Sequence, residues 1–249
     1  MENLASKTVL ITGGARRLGR EIALRLASEG SRIVIHYRNS VEDAQKLVAE
    51  ISALGGTAFS VQEDLKDDGS CRKLIEKSMA VAGKIDFLIN NASSFFAIGV
   101  EDASLQQLQS DVGTNAFVPF LLSKYFRDIC HGSAIVNMLD SRIKGYDRTH
   151  FTYYLSKKML ENITYTLSRL YAPETRVNGV APGLILAPSG EGLDYLLRLS
   201  AGVPLQRYGK ASDVAETVLF LLRSDFITGQ VIFVDGGQHM LQHVYGGKR

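Results

Sequence analysis

Seven short apolar runs, rich in β-branched residues, recur along this chain and restrict it to a narrow set of folds. They lie at 8–11, 32–36, 58–62, 87–89, 134–138, 176–180 and 230–234. Each is nearly continuous in apolar side chains, the pattern of a strand buried on both faces. Between them the period changes to that of an amphipathic helix. Ile22, Leu26 and Ala27 mark one helix; Ala44, Leu47, Val48 and Ile51 mark a second, closed by Gly55-Gly56. Leu74, Ile75 and Met79 mark a third, Phe117, Leu121 and Leu122 a fourth. Leu160, Ile163, Leu167 and Leu170 mark a fifth, with Pro173 beyond its end. This alternation predicts an α/β fold with a parallel sheet covered by helices on both faces. Seven strands without a long linker predict one doubly wound domain over residues 1–249.

Composition narrows the function classes. The charged fraction is 22% and the net charge only +2, so no strong field for nucleic acid or a membrane surface is implied. Cys71 and Cys130 are the only cysteines, too few for a disulfide scaffold or a zinc-type cluster. No apolar run approaches membrane-spanning length, and the N-terminal run is too short for a signal segment. A cytoplasmic enzyme or binding protein for a small molecule is the natural reading. The stretch 184–204 breaks the alternation with Pro188, Gly190, Gly192 and a patch of Leu193, Tyr195, Leu196 and Leu197. It reads as a lid over a pocket, the alternative being an ordinary surface loop plus helix.

The first strand runs into Thr12-Gly13-Gly14-Ala15-Arg16-Arg17-Leu18-Gly19 and then a helix. Such a junction gathers free backbone N–H groups and the positive end of the helix dipole, which suits a pyrophosphate. Gly13 fits the tight turn and Gly19 the close approach of helix to sheet. An NAD-selective site ends its second strand in a carboxylate; here that strand ends Ile35-His36-Tyr37-Arg38-Asn39-Ser40, with no acid. Arg38, Ser40 and Arg16 or Arg17 can instead grip a 2′-phosphate, so NADP is expected. Asp64-Leu65 after the third strand and Asn91-Ala92 after the fourth are candidate neighbours of the adenosine side.

Further along, Tyr153 and Lys157 stand four apart in Tyr-Tyr-Leu-Ser-Lys, with Asp140 upstream. On a helix the two share a face. An ammonium there favours the phenolate, lowers the phenol pKa and makes the hydroxyl a proton donor. Asp140 also has the plainer reading of a helix-capping acid.

Taken together, these motifs resemble the classical short-chain dehydrogenase/reductase family, with its Rossmann-like fold, over nearly the whole chain. The resemblance is carried by Thr12–Gly19, Asn90-Asn91-Ala92, Asn115, Tyr153-x-x-x-Lys157, Ala181-Pro182-Gly183 and Asp235-Gly236-Gly237. It implies hydride transfer from NAD(P)H to a carbonyl or imine carbon. Lys157 would hold the nicotinamide ribose, Asn115 would position a water, and Pro182, Gly183 and Leu184 would border the nicotinamide. It also implies a homotetramer, and the tail 238–249, which runs past the Asp-Gly-Gly motif, is expected to reach a neighbouring subunit.

Departures from the common family pattern point further. Arg17 stands where the turn usually has a middle glycine, Asp140 where the catalytic serine stands, and Ala187 where a threonine does. Arg17, Asp140, His36-Tyr37-Arg38-Asn39-Ser40 and Asn91-Ala92-Ser93-Ser94-Phe95 are together similar to the pteridine reductases, in which residues matching Arg17, Ser93 and Phe95 contact cofactor and substrate. A pterin offers ring nitrogens that suit a carboxylic acid or carboxylate, and Phe95 offers a stacking face. Phe95 or Phe96 also reads as core, and His150 as a residue that borders the pocket. Two alternatives stay open: a carbonyl or ketoacyl reductase in which Ser141 takes the serine role, and a non-catalytic NADP sensor.

Overall fold

Val9, Ile11, Ile33, Ile35, Phe87, Ile89, Val136 and Met138 pack into one apolar cluster, while Leu10, Val34, Leu88 and Ile135 pack into another. Successive residues of a strand point to opposite faces, so this division shows why the runs are apolar throughout: both faces of the sheet are covered. The computed structural model describes residues 3–188, 190–241 and 244–245. Its strands are β1 (Thr8–Ile11), β2 (Arg32–Tyr37), β3 (Thr57–Gln62), β4 (Phe87–Asn90), β5 (Ala134–Met138), β6 (Tyr146–Asp147), β7 (Arg176–Pro182), β8 (Val231–Val234) and β9 (Val244–Tyr245). Its helices are α1 (Arg17–Ala27), α2 (Val41–Ala53), α3 (Asp68–Ala82), α4 (Leu105–Val112), α5 (Val118–Tyr125), α6 (Phe151–Leu170), α7 (Leu193–Ser200) and α8 (Ala211–Arg223).

The main sheet has seven strands in the order β3-β2-β1-β4-β5-β7-β8, with every neighbouring pair parallel. Ile22, Leu26, Leu47 and Leu219 place α1, α2 and α8 on one face, and Leu74, Leu122 and Leu167 place α3, α5 and α6 on the other. The fold is therefore the doubly wound, Rossmann-like α/β fold that the alternation predicts. Strand order reverses between β1 and β4, which opens a crevice at the carboxyl ends of those strands.

Some details differ from the sequence reading. β7 runs two residues past its apolar run, because Ala181 and Pro182 pair with Phe233 and Val234 of β8. The fourth helix is longer than its apolar spacing suggests: α4 and α5 are joined through a π-helical turn, Gly113–Phe117, that carries Asn115. Such turns widen a helix locally and present a side chain out of register. In the tail, 238–241 forms a 3-10 turn, and β9 pairs with β6 of the same chain. The tail's described part thus folds back on its own subunit; 242–243 and 246–249, like Ser189 in the 184–204 stretch, lie outside the described residues.

Candidate active site

The turn after β1 is held by three side chains. Thr12 Oγ1 accepts from the backbone N–H groups of Asn91 (2.9 Å) and Ala92 (3.0 Å), which latches the turn to the end of β4. Asn91 Nδ2 donates to the carbonyls of Thr12 and Gly13 at 2.9 and 3.1 Å. His36 Nδ1 accepts from Gly13 N–H at 3.2 Å, and its Nε2 lies 3.1 Å from the Glu63 carbonyl. Only the tautomer protonated on Nε2 satisfies both contacts. Burial drives the His36 pKa down to about 4, so the ring is neutral at pH 7.

Two glycines of the turn are required by space or torsion. Gly13 has φ +60, and a Cβ on Gly19 would stand 2.5 Å from the Gly13 carbonyl oxygen. Arg17 also has a positive φ, +50, at the position where the common family pattern has glycine. A non-glycine residue in that region costs about 1 kcal/mol or more. Its guanidinium donates to the Ala187 carbonyl at 2.6 Å, which joins the turn to the loop after β7. The first turn of α1 has no side-chain cap, so its orphan N–H groups are left for an anion.

A cavity of about 810 Å³ opens from this turn. Gly13, Arg16, Arg17, Leu18 and Gly19 form its floor, and His36, Tyr37, Arg38, Asn39 and Ser40 form one end. Asp64, Leu65, Asn91, Ala92, Ser93 and Phe95 line the rest. All these sequence-predicted positions therefore converge. Arg16 reaches the cavity but is already engaged, with Nε 2.6 Å from Asp43 Oδ2. That leaves Arg38 and Ser40 as the groups best placed for a 2′-phosphate. Asp64 pairs with Lys66 at 2.9 Å. Pro182, Gly183 and Leu184 do not line this cavity. Gly183 is pressed against Asp235, where an added Cβ would lie 2.5 Å away, and Leu184 borders a separate cavity of about 220 Å³ with Asp235.

The catalytic candidates meet where β5 ends beside the first turns of α6. Tyr153 and Lys157 lie one turn apart on α6 and are both buried. The Tyr153 hydroxyl donates to Asp140 Oδ2 at 2.9 Å, and Lys157 Nζ donates to the Met138 carbonyl at 2.8 Å. Asp140 Oδ1 accepts from Arg142 N–H at 2.8 Å and so caps the 3-10 turn Ser141–Lys144. One carboxylate thus caps the turn and holds the tyrosine. Ser141 is buried, and Asp140 rather than Ser141 holds the tyrosine.

The expected lowering of the phenol pKa is corrected by the geometry. Burial, and then the charge of Asp140, push Tyr153 well above the ordinary tyrosine value, against a smaller opposing effect of Arg142. Lys157 lies 5.7 Å from the ring centroid, and burial brings its own pKa down to about 8. The Asn115 amide is engaged by its neighbours. Its Oδ1 accepts from Ser94 N–H (2.8 Å) and Ser93 Oγ (3.0 Å), and its Nδ2 donates to the Ser94 carbonyl and Ser156 Oγ, both at 3.0 Å. These four bonds pin the Ser93-Ser94 loop to the π-helical turn.

Phe95 is 41% exposed, which makes it a wall rather than core; Phe96 is exposed as well. His150 stacks on Phe95 at 4.5 Å and 13°, and Tyr153 meets its edge at 4.7 Å and 86°. The sequence reading missed several residues here. Asp111 accepts from Ser94 Oγ (2.7 Å) and Thr152 Oγ1 (2.6 Å), and its spacing of one helical turn from Asn115 is a signal that was present. Arg142 and Asp147 carry no motif and were visible only once the turn after β5 had folded.

Comparison with known proteins gives the same picture. The family model described as enoyl-(acyl carrier protein) reductase matches residues 13–239. A putative ketoacyl reductase 2 of the granaticin polyketide synthase from Streptomyces violaceoruber is 33% identical, over 93% of this chain and 96% of its own length. Pteridine reductase 1 of Leishmania tarentolae is also 33% identical, over 92% of this chain and 94% of its own. The crystal structure of FolM alternative dihydrofolate reductase 1 from Brucella suis, in complex with NADP, superposes with a TM-score of 0.90 at 34% identity, covering 95% of this chain and 96% of that one. By sequence motifs, by fold and by these matches, the chain belongs to the short-chain dehydrogenase/reductase family.

Proposed function

We propose that this chain is an NADPH-dependent reductase of a pterin or folate ring, with Tyr153, Lys157 and Asp140 handling the proton. The observation that carries the reading is the Tyr153 hydroxyl on Asp140 at 2.9 Å, beside the half-exposed ring of Phe95. A carboxylate at that position accepts from the amino and N–H groups of a pterin edge, which a serine hydroxyl does less well. The relatives whose printed names include pteridine reductase and alternative dihydrofolate reductase support the same substrate class.

The site residues fit the cofactor. The uncapped start of α1 and Gly13 suit its pyrophosphate, Arg38 and Ser40 its 2′-phosphate, and Lys157 its nicotinamide ribose. When bound, NADPH supplies the hydride, which reduces a C=N carbon. Tyr153 Oη delivers one proton to the adjacent nitrogen, so that C=N becomes CH–NH and NADP⁺ is the other product. A phenol held above its ordinary pKa keeps its proton until negative charge develops beside it. Asp140 Oδ2 orients that phenol, and Phe95 provides the plane for the substrate ring.

The wider reading is a cytoplasmic homotetramer whose stretch 184–204 acts as a substrate lid. Its support is the Arg17–Ala187 bond onto that stretch and the exposed apolar side chains Phe117, Phe120 and Phe220 as subunit faces. Reduction of a ketone or ketoacyl group is the second reading. It is favoured by the identity to a putative ketoacyl reductase, and the same phenol protonates a carbonyl oxygen equally well. NADPH oxidation against biopterin, dihydrobiopterin, dihydrofolate, dihydromonapterin and short ketoesters separates the two. Turnover of a pterin or folate, lost in Asp140→Ser with NADPH binding kept, is the expected result. Efficient ketoester reduction with no pterin or folate turnover would give the assignment to the second reading.

A further inference from the structure

One side chain outside the family motifs stands between Asp140, Asp147, His150 and Phe95. Arg142 lies in the 3-10 turn after β5, with its side chain only 21% exposed. Its backbone N–H donates to Asp140 Oδ1 at 2.8 Å, and its Nε stands 3.9 Å from the same oxygen. Its Nη1 donates to Asp147 Oδ2 at 2.8 Å and lies 3.2 Å from His150 Nδ1. Its Cζ stands 5.2 Å from the centroid of Phe95.

The other end of this assembly is rigid. Asp147 has 1% of its side chain exposed, and its Oδ1 accepts from the backbone N–H groups of Thr149 and His150, both at 2.9 Å. Asp147 Oδ2 accepts from Arg142 and also lies 3.2 Å from His150 Nδ1. His150 Nδ1 therefore sits at 3.2 Å from both Arg142 Nη1 and Asp147 Oδ2, and this pair holds the imidazole parallel to Phe95.

We propose that Arg142 is a positioning residue for the reduction: anchored on Asp147, it fixes the Asp140 carboxylate under Tyr153 and, through His150, the plane of Phe95. A guanidinium suits this task because its planar fork engages two carboxylates and a ring face at once. The proposal rests on the reading of Tyr153 and Asp140 as the proton-handling pair, but not on which substrate they serve. Among the described residues, the groups that face the guanidinium include Asp140, Asp147, His150, Tyr153 and Tyr195. Removing its positive charge favours the protonated form of the titratable groups around it.

The test compares Arg142→Met and Arg142→Lys with the unmutated protein in NADPH binding, kcat, KM and the pH profile of turnover. The substrate is the best pterin or folate of the panel, or the best ketoester if no pterin or folate is reduced. Arg142→Met should leave the NADPH Kd within about twofold, lower kcat roughly tenfold or more, and move the profile upward by about half a pH unit or more. Arg142→Lys, which keeps the charge but not the fork, should recover part of kcat and return the profile towards its original position. Unchanged kcat and pH profile in Arg142→Met would overturn the proposal. So would loss of NADPH binding in both variants, since the role would then be structural. A protein active on ketoesters and silent on pterins and folates sinks the substrate reading while this test proceeds; one silent on every substrate ends both.

Discussion

Tyr153 donates its hydroxyl to Asp140 at 2.9 Å, while Lys157, one helical turn away, is turned to the Met138 carbonyl at 2.8 Å. The phenol is therefore bonded to a carboxylate rather than to an ammonium, and burial first, then the charge of Asp140, holds it in its protonated form. Tyr153→Phe removes the transferable proton and the bond to Asp140 but leaves the cavity for NADPH untouched. Turnover should fall by about 10²- to 10⁴-fold with NADPH affinity nearly unchanged. Stopped-flow NADPH oxidation and a fluorescence titration measure the two quantities. Near-normal turnover would move the proton-donor role to Asp140.

The lysine makes a stability prediction with a definite sign. Its folded pKa is about 8 against an ordinary 10.5. The unfolded chain thus binds more protons than the folded one between those values, and stability rises with pH across that window. Below pH 8 the buried charge opposes folding by about 3 kcal/mol. Lys157→Met removes the charge but also the bond to Met138, worth about 1 kcal/mol. The cofactor-free variant should accordingly be more stable than the parent by about 2 kcal/mol at pH 7. That advantage should vanish near pH 10.5. Urea unfolding at both pH values checks it, and a variant less stable at pH 7 contradicts the assignment of a strained buried ammonium. The same variant should bind NADPH more weakly, because the ribose anchor is gone.

The phosphate end gives a prediction about cofactor choice. Arg16 is engaged by Asp43 and Arg17 by the Ala187 carbonyl, while Arg38 and Ser40 border the open cavity. Arg38→Ala should weaken NADPH by about 1.5–3 kcal/mol and leave NADH nearly unaffected, since only the former carries a 2′-phosphate. Asp43→Asn should act in the opposite direction, because it releases Arg16 and removes a nearby negative charge. Parallel titrations with both cofactors decide this; equal affinity for the two in the unmutated protein contradicts it.

The fold was legible because each strand's alternate residues enter separate clusters, as Val9 and Leu10 do, so buried parallel strands had to read as unbroken apolar runs. The phosphate turn was legible for a similarly local reason: Gly13, Gly19 and the residues that follow β2 act at or next to their own backbone positions. What the sequence hid depends on where side chains turn after folding. Nothing in the spacing of Lys157 and Tyr153 says that the ammonium points to Met138. Nothing in the turn after β5 says that Arg142 bridges Asp140 and Asp147. Asn115 was found by its motif, but its bonding to Ser93, Ser94 and Ser156 depends on the π-helical turn, which has no local signal in the apolar pattern. Pro182 to Leu184 were assigned to the cofactor by resemblance alone; the spacing says nothing of the packing of Gly183 on Asp235 or of the Gly209 N–H bond to the Leu184 carbonyl.

His36 yields the last prediction, because a residue named for cofactor contact turns out to shape the turn that makes the contact. Its Nδ1 is the acceptor for Gly13 N–H, and its Nε2–H is given to Glu63. Protonation puts a hydrogen on Nδ1, where none fits without breaking the Gly13 bond. Burial accordingly lowers the folded pKa to about 4 from 6.5. The unfolded chain takes up a proton near 6.5 and the folded chain only near 4, so stability is lost as pH falls through that window and rises with pH within it. The loss attributable to this residue is about 3 kcal/mol over the full window. His36→Phe keeps the aromatic volume but leaves Gly13 N–H without its partner, at a cost of about 1–3 kcal/mol at pH 7. The variant should therefore be less stable than the parent at pH 7, and the difference should shrink or reverse by pH 4, since the variant has no imidazole to protonate. Its NADPH affinity should also fall, because the Gly13 turn is no longer held at the pyrophosphate position. Denaturant unfolding at pH 7, 5.5 and 4 follows the first effect, and titration with NADPH at pH 7 follows the second. Parallel acid-stability curves for parent and variant would show that His36 is not the group whose protonation loosens the turn.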